Sequence, residues 1–330
     1  MNDDEMTVEE IARLAKLVLE RVGTVVVGMT GAIELALASV LAGGHVLFED
    51  VPGLGKTLAA RSLAAALGLD FRRLQCTPDL LPADITGSFV YSPATTQFEF
   101  RPGPLFTGLF LADEINRTSP KTQSALLEAM AEGQVSVEGQ SFKLPWPFHV
   151  IATSNPIEYE GTYALPEAQL DRFMVRLAVG YPEREGETNI LLNRVARRHE
   201  VASVEPVIDS ATLAAMQAGI ETVYVEPDIA RYCVDIAVAT RRHKAIEVGS
   251  SPRGSQGLML VARALAVIDG RDFVVPEDIK RVAVSVLAHR LSLTTQAWAD
   301  GTRAADVVSG IVADVAGPPT VGLRSAATPQ

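Results

Sequence analysis

Apolar positions recur at helical spacing from the start of the chain. Between Thr7 and Arg21, residues Ile11, Leu14, Ala15, Val18 and Leu19 share one face with charges opposite, which predicts an amphipathic helix. Val25–Gly28 leads into a second apolar helix over 32–41, and Gly43-Gly44 turns the chain into a short apolar run at 45–49. Beyond a glycine-rich turn, 58–67 is rich in Ala and Leu and reads as helix, whereas 70–76 has strand character. The segment 77–87, TPDLLPADITG, holds two prolines and Asp84 in an N-cap-like position. Aromatic residues and threonines then flank a Ser-Pro turn, predicting a hairpin over 86–100. GLFLADEIN at 108–116 opens on a continuous apolar run of strand length, as expected of a strand buried on both faces of a parallel sheet. A helix over 120–132, a hairpin over 134–144 about Glu-Gly, and an apolar strand over 149–154 follow.

Tyr181-Pro182 marks the exit from the last strand, and from Glu183 the pattern becomes helical. Helices are predicted over 184–199, 210–219, 227–243, 253–267 and 276–290. The expected architecture is α/β with a parallel sheet over 1–182, an all-helical unit over 183–314, and a disordered tail over 315–330, where few residues are available to bury.

The chemistry concentrates at the ends of the predicted strands. In HVLFEDVPGLGKT, residues 45–57, an apolar strand runs into a glycine-rich turn and then a helix. Gly53 and Gly55 let backbone N–H groups close around phosphate oxygens, Lys56 adds a point charge, and the Thr57 hydroxyl can ligate Mg²⁺. The helix dipole favours an anion at the same place. Pro52, Leu54 and Leu58 complete the candidate nucleotide-binding loop. Such loops usually open with glycine; here Asp50 stands there, and a carboxylate beside a polyphosphate is electrostatically unfavourable. Asp113 and Glu114 end the 108–116 strand at the edge where open α/β sheets bind ligands, so Asp113 is a candidate for orienting Mg²⁺ and Glu114 for polarising water. Asn155, at the end of the next strand, is placed to position that water or to contact the terminal phosphate. Val27 and Gly28 either pack in the core or sit beside the base. Arg117 is open to a nucleotide or to a subunit interface, and Arg172, next to Asp171, reads locally as half of an ion pair or as a surface charge. Arg253 stands in Ser-Pro-Arg at a helix start, where the dipole disfavours a cation unless an anion is bound nearby.

Composition narrows the partners. A net charge of -11 gives no general attraction for nucleic acid, and the 134–144 hairpin sets Lys143 against Glu138. Cys76 and Cys233 are too few for a disulfide framework and lack metal-ligand spacing. No apolar run reaches the roughly 20 residues of a membrane span. A cytoplasmic protein without membrane insertion is the expectation.

GLGKT, LFLADEINR, ATSNPIEYEGTYALPEAQLDRF and SPRGSQ together resemble the MoxR branch of AAA+ ATPases, from about Val25 to Leu291. The resemblance implies a five-stranded AAA+ core with a helical lid, binding ATP and Mg²⁺ between subunits of a ring, usually a hexamer. It implies sensor roles for Asn155 and Arg253, and an arginine finger at Arg172 that acts on the neighbouring subunit's ATP. Hairpins 86–100 and 134–144 take the places of the helix-2 insert and the pre-sensor-1 hairpin. The implied activity is ATP-driven remodelling, activation or maturation of a client protein, often one with a von Willebrand factor A domain. An ATP-dependent scaffold with slow turnover is the alternative that Asp50 motivates, and a nucleic-acid motor is a third.

Overall fold

The computed structural model describes residues 6–156, 162–197 and 204–319. Two helices open the chain, α1 (Val8–Gly23), capped by the Thr7 side chain, and α2 (Thr30–Leu41). The α/β segment follows as β1 (Val46–Glu49), α3 (Lys56–Ala66), β2 (Phe71–Gln75) and the short α4 (Pro82–Thr86). Next come β3 (Gly87–Ser92), β4 (Gln97–Pro102), β5 (Leu109–Asp113), α5 (Pro120–Glu132), β6 (Gln134–Val137), β7 (Gln140–Lys143) and β8 (His149–Ser154). After α6 (Glu167–Leu170) and β9 (Val175–Leu177) the chain leaves the sheet.

β2, β5, β8, β1 and β9 form, in that order, a five-stranded parallel sheet. β1 lies between β8 and β9: the connection after β1 runs to β2 at one edge, that after β8 crosses to β9 at the other, and a crevice opens at the carboxyl end of β1. Side chains alternate across the sheet. Val46, Phe48, Leu109, Leu111 and Ile151 join the core beneath α1, α2 and α3, whereas Leu47, Phe110, Ala112, Val150 and Ala152 join a second core with α5. Burial of both faces explains why these strands read as continuous apolar runs.

The hairpins are β3–β4 and β6–β7, as expected, and an aromatic cluster joins them: Phe100 and Phe142 stack with centroids 3.8 Å apart, with Phe89 alongside. Asp84 is not the N-cap of its helix. It sits inside α4, and its carboxylate accepts from the Leu81 N–H, because the Leu-Pro pair fixes the helix start two residues before it.

The helical region comprises α7 (Arg184–Arg197), α8 (Ser210–Ile220), α9 (Pro227–Arg242), α10 (Pro252–Ile268), α11 (Pro276–Leu287), α12 (Thr295–Ala299) and α13 (Ala304–Asp314), with a two-stranded ribbon of β10 (Ile246–Val248) and β11 (Ser292–Leu293). The last two helices lie beyond the predicted set; α13 buries Val307, Val308 and Ile311. Apolar packing runs unbroken from α1 and α2 into α8 and α10. Gln217 of α8 strengthens that junction by donating to the Val40 carbonyl of α2 and to His149 of β8. The predicted tail falls mostly on 320–330, outside the described residues.

Candidate active site

The turn after β1 has the backbone that the sequence requires. Gly53 and Gly55 both take left-handed φ, +85° and +82°, conformations that a Cβ would strain, and α3 starts immediately at Lys56. The Lys56 ammonium is buried and donates to the Asp50 carbonyl at 2.5 Å, with the Ser154 carbonyl at 3.5 Å. Burial holds it below its ordinary pKa, against the opposing pull of Asp50, Asp113 and Glu114.

Thr57 Oγ1 donates to Asp113 Oδ2 at 3.1 Å, which brings two hard oxygen donors to one point at the sheet edge. Asp113 is held from two further sides: Thr153 Oγ1 donates to Oδ1 at 2.5 Å, and Arg73 reaches Oδ2 through Nε at 2.9 Å and through Nη2 at 2.8 Å. Glu114 turns the chain out of β5 with φ of +57°, an uncommon conformation for a residue with a side chain. Its N–H is anchored on Thr153 Oγ1, and its carboxylate accepts from Gln75 at 2.7 Å and from Arg117 at 3.0 Å. Arg117 thus pairs with Glu114 inside its own chain.

Lys56, Thr57, Asp113, Glu114 and Asn155 line one cleft of ≈240 Å³ at the carboxyl edge of the sheet. A second cleft of ≈390 Å³ lies on the other side of the glycine turn and shares Pro52, Gly53 and Gly55 with the first. Its walls include Val27, Gly28, Leu54, Leu58, Tyr181 and Ile190, more apolar than polar, which suits a base and sugar beside a polyphosphate site. Val27 and Gly28 thus line this cleft rather than the interior of the core.

Asp50 departs from the electrostatic picture. Its carboxylate lines neither cleft and instead accepts from the backbone N–H groups of Val51, Val179 and Gly180. Arg172 and Arg253 also lie apart from Lys56, lining a separate depression of ≈270 Å³ with Gly43, Gly44 and Arg290. The local Asp171–Arg172 pair is not formed. Asp171 binds Arg290, whose guanidinium is buried, and accepts from Ser251; Arg253 approaches to 3.8 Å. Among the described residues no carboxylate pairs with Arg172.

Three contributors escaped the sequence reading. Arg73 and Gln75 alternate on β2 and so point to one face at its carboxyl end, beside Asp113 in register; polar side chains at alternate positions of FRRLQ were the available signal. Thr153, a buried hydroxyl one residue before the end of β8, carried no signal beyond its neighbour Asn155.

A parallel sheet with this strand order, a glycine-Lys-Thr loop at its switch point and an Asp-Glu pair facing that loop define a P-loop ATPase of the AAA type. Residues 45–175 match the ATPase family associated with various cellular activities (AAA), and residues 238–311 match the AAA lid domain. Chaperone MoxR1 of Mycobacterium tuberculosis is 39% identical over 94% of this chain and 83% of its own length. YeaC of Bacillus subtilis is 47% identical over 93% of this chain and 96% of its own. A crystal structure of a Cytophaga hutchinsonii protein described as an ATPase aligns with a TM-score of 0.86 at 38% identity, covering 94% of this chain and 96% of that one. The chain belongs to the MoxR family of AAA ATPases. It is a nucleotide-binding ATPase, and no helix among the described residues is long and apolar enough to cross a membrane.

Proposed function

We propose that the protein hydrolyses ATP in a Mg²⁺-dependent cycle within a cytoplasmic hexameric ring, and that it uses the cycle to remodel or mature a client protein, with von Willebrand factor A-domain proteins as the client class. The observation that carries the catalytic part is the convergence of Lys56, Thr57, Asp113, Glu114 and Asn155 on one cleft. Thr57 and Asp113 suit a divalent ion that takes its other ligands from water and phosphate, and among the described residues no cluster of three or more His, Cys, Asp or Glu side chains forms an all-protein cage. Such an ion neutralises phosphate charge when bound. Lys56 holds the phosphates, Glu114 takes a proton from the attacking water as its oxygen bonds to the terminal phosphorus, and the bond to the ADP oxygen breaks. Asn155 positions that water.

The ring reading draws on Arg172, which lies outside its own chain's cleft, as a finger acting on a neighbour's nucleotide is expected to; Arg253, in the same depression, is the sensor-2 candidate. We take 1–182 as the nucleotide-binding unit and 183–314 as the lid. The slow scaffold loses its motive, because the Asp50 carboxylate is occupied by backbone amides. The acidic chain gives the nucleic-acid motor no electrostatic support.

Glu114→Gln tests the assignment. The amide keeps the side chain's size and its contact with Arg117 but cannot accept the proton, so ATP binding should persist while turnover falls by at least about 10²-fold. Lys56→Ala should weaken binding itself. Parental turnover in Glu114→Gln would remove Glu114 from the chemistry.

A further inference from the structure

β1 pairs with β9 through Val46–Val175, Leu47–Arg176 and Phe48–Leu177, and there the ladder stops because β1 turns into the phosphate loop. Carried two residues further, the same register sets Asp50 opposite Val179, whose backbone N–H has lost its strand partner. The Asp50 side chain supplies the acceptor: Oδ2 takes the N–H groups of Val179 at 2.7 Å and Gly180 at 2.6 Å, while Oδ1 takes the Val51 N–H at 2.8 Å. The backbone carbonyl of the same residue receives the Lys56 ammonium at 2.5 Å. Burial works to raise the Asp50 pKa, but the N–H donors of Gly180, Val51 and Val179 outweigh it and hold the group ionised.

The segment so held has a direct use. Val179, Gly180, Tyr181 and Pro182 form one wall of the larger cleft, and Pro182 closes against Gly28 on the opposite wall, 3.0 Å from where a Cβ on Gly28 would stand. Asp50 therefore joins two parts of the nucleotide site that no strand pairing connects. We propose that Asp50 is a positioning residue that latches the base-side wall at 179–182 to the phosphate loop, setting the distance between the two halves of the site and so the affinity for ATP as a whole molecule. This rests on the reading of the two clefts as one ATP site. It reverses the sign expected of a carboxylate that repels phosphate: restoring the usual glycine should weaken ATP binding.

The test compares Asp50→Gly and Asp50→Asn with the parent, as full chains, using ATP and inorganic tripolyphosphate as ligands. Tripolyphosphate needs only the phosphate loop. Asp50→Gly should raise the ATP dissociation constant about tenfold while changing that of tripolyphosphate less than twofold. Asp50→Asn keeps one acceptor oxygen and should fall between parent and glycine, which keeps the question answerable if the glycine variant folds poorly. Without nucleotide, amide hydrogen exchange at Val179 and Gly180 should quicken in both variants; this arm reads the latch even if the parent fails to bind ATP, an outcome that would overturn the ATP reading instead. Equal losses for ATP and tripolyphosphate, tighter ATP binding in Asp50→Gly, or unchanged exchange at 179–180 would each overturn the latch.

Discussion

Single side chains at the catalytic edge carry more than one constraint each. Thr153 receives the Glu114 N–H and donates to Asp113, so one hydroxyl supports the left-handed turn at Glu114 and orients the carboxylate beside it. Arg73 competes for the same Asp113 oxygen that Thr57 addresses, and its guanidinium neutralises charge that a divalent ion would need. Because this pair is partly exposed, its worth is modest, about 0.2–1 kcal/mol. Arg73→Ala should accordingly lower the Mg²⁺ concentration for half-maximal ATPase activity about two- to fivefold, read from a Mg²⁺ titration at saturating ATP. A higher requirement would mean that Arg73 contacts the nucleotide instead. Lys56, Thr57, Asp113 and Glu114 were legible from residue type and spacing. The fates of Asp50 and Arg117 were not, since a side chain's partner depends on what the fold sets opposite it.

The elements of the sheet are fastened at their amino ends by two buried histidines. His45, before β1, accepts the Val150 N–H at Nδ1 and donates from Nε2 to the Met130 carbonyl. His149, opening β8, donates from Nδ1 to the Gly44 carbonyl and accepts from Gln217 at Nε2. Either ring, if protonated, would turn an accepting nitrogen toward an N–H donor. Burial pushes both pKa values down to about 4, helped at His45 by its neighbour His149. His289, which donates to the Phe173 carbonyl, is pushed down to about 3 by burial and by Arg290. As pH falls below the unfolded value of about 6.5, the unfolded chain binds protons that the folded chain refuses, so stability is full above that value and drops toward pH 4. Urea unfolding at pH 7.5 and pH 5 should show a loss of about 2 kcal/mol for each histidine held neutral. A midpoint independent of pH would show that these rings ionise freely in the fold.

At the scale of the whole molecule, the helical lid is bound to the segment between α6 and β9 that bears Arg172. Arg290 binds Asp171 and the Phe173 carbonyl, and Ser251 at the start of α10 donates to Asp171. Movement of the lid would therefore carry Arg253 with it and pull on the segment that bears the half-buried Arg172. If Arg172 serves the neighbouring subunit, Arg172→Ala and Lys56→Ala rings should each lose turnover by about 10³-fold or more. Mixed rings should regain activity wherever an intact Arg172 faces an intact Lys56, about a quarter of interfaces for random equal mixing. ATPase assays of mixtures whose co-assembly is confirmed by mass provide the check, and mixtures as inactive as either parent ring would leave Arg172 with no role in trans.

The chain pattern alone determined the parallel α/β core, its helical continuation, both hairpins and the loop and carboxylates of the ATPase site. Each follows from local periodicity or from residue types at short spacing, where the chemistry needs near neighbours. Tertiary structure decided what depends on distant segments meeting. Arg73 and Gln75 reach the carboxylates only because β2 lies beside β5, and Asp171 finds Arg290 only because the lid folds back on the sheet. Asp50 reads as an obstacle to phosphate until β9 is placed next to β1, and then its carboxylate completes the strand ladder that the phosphate loop interrupts.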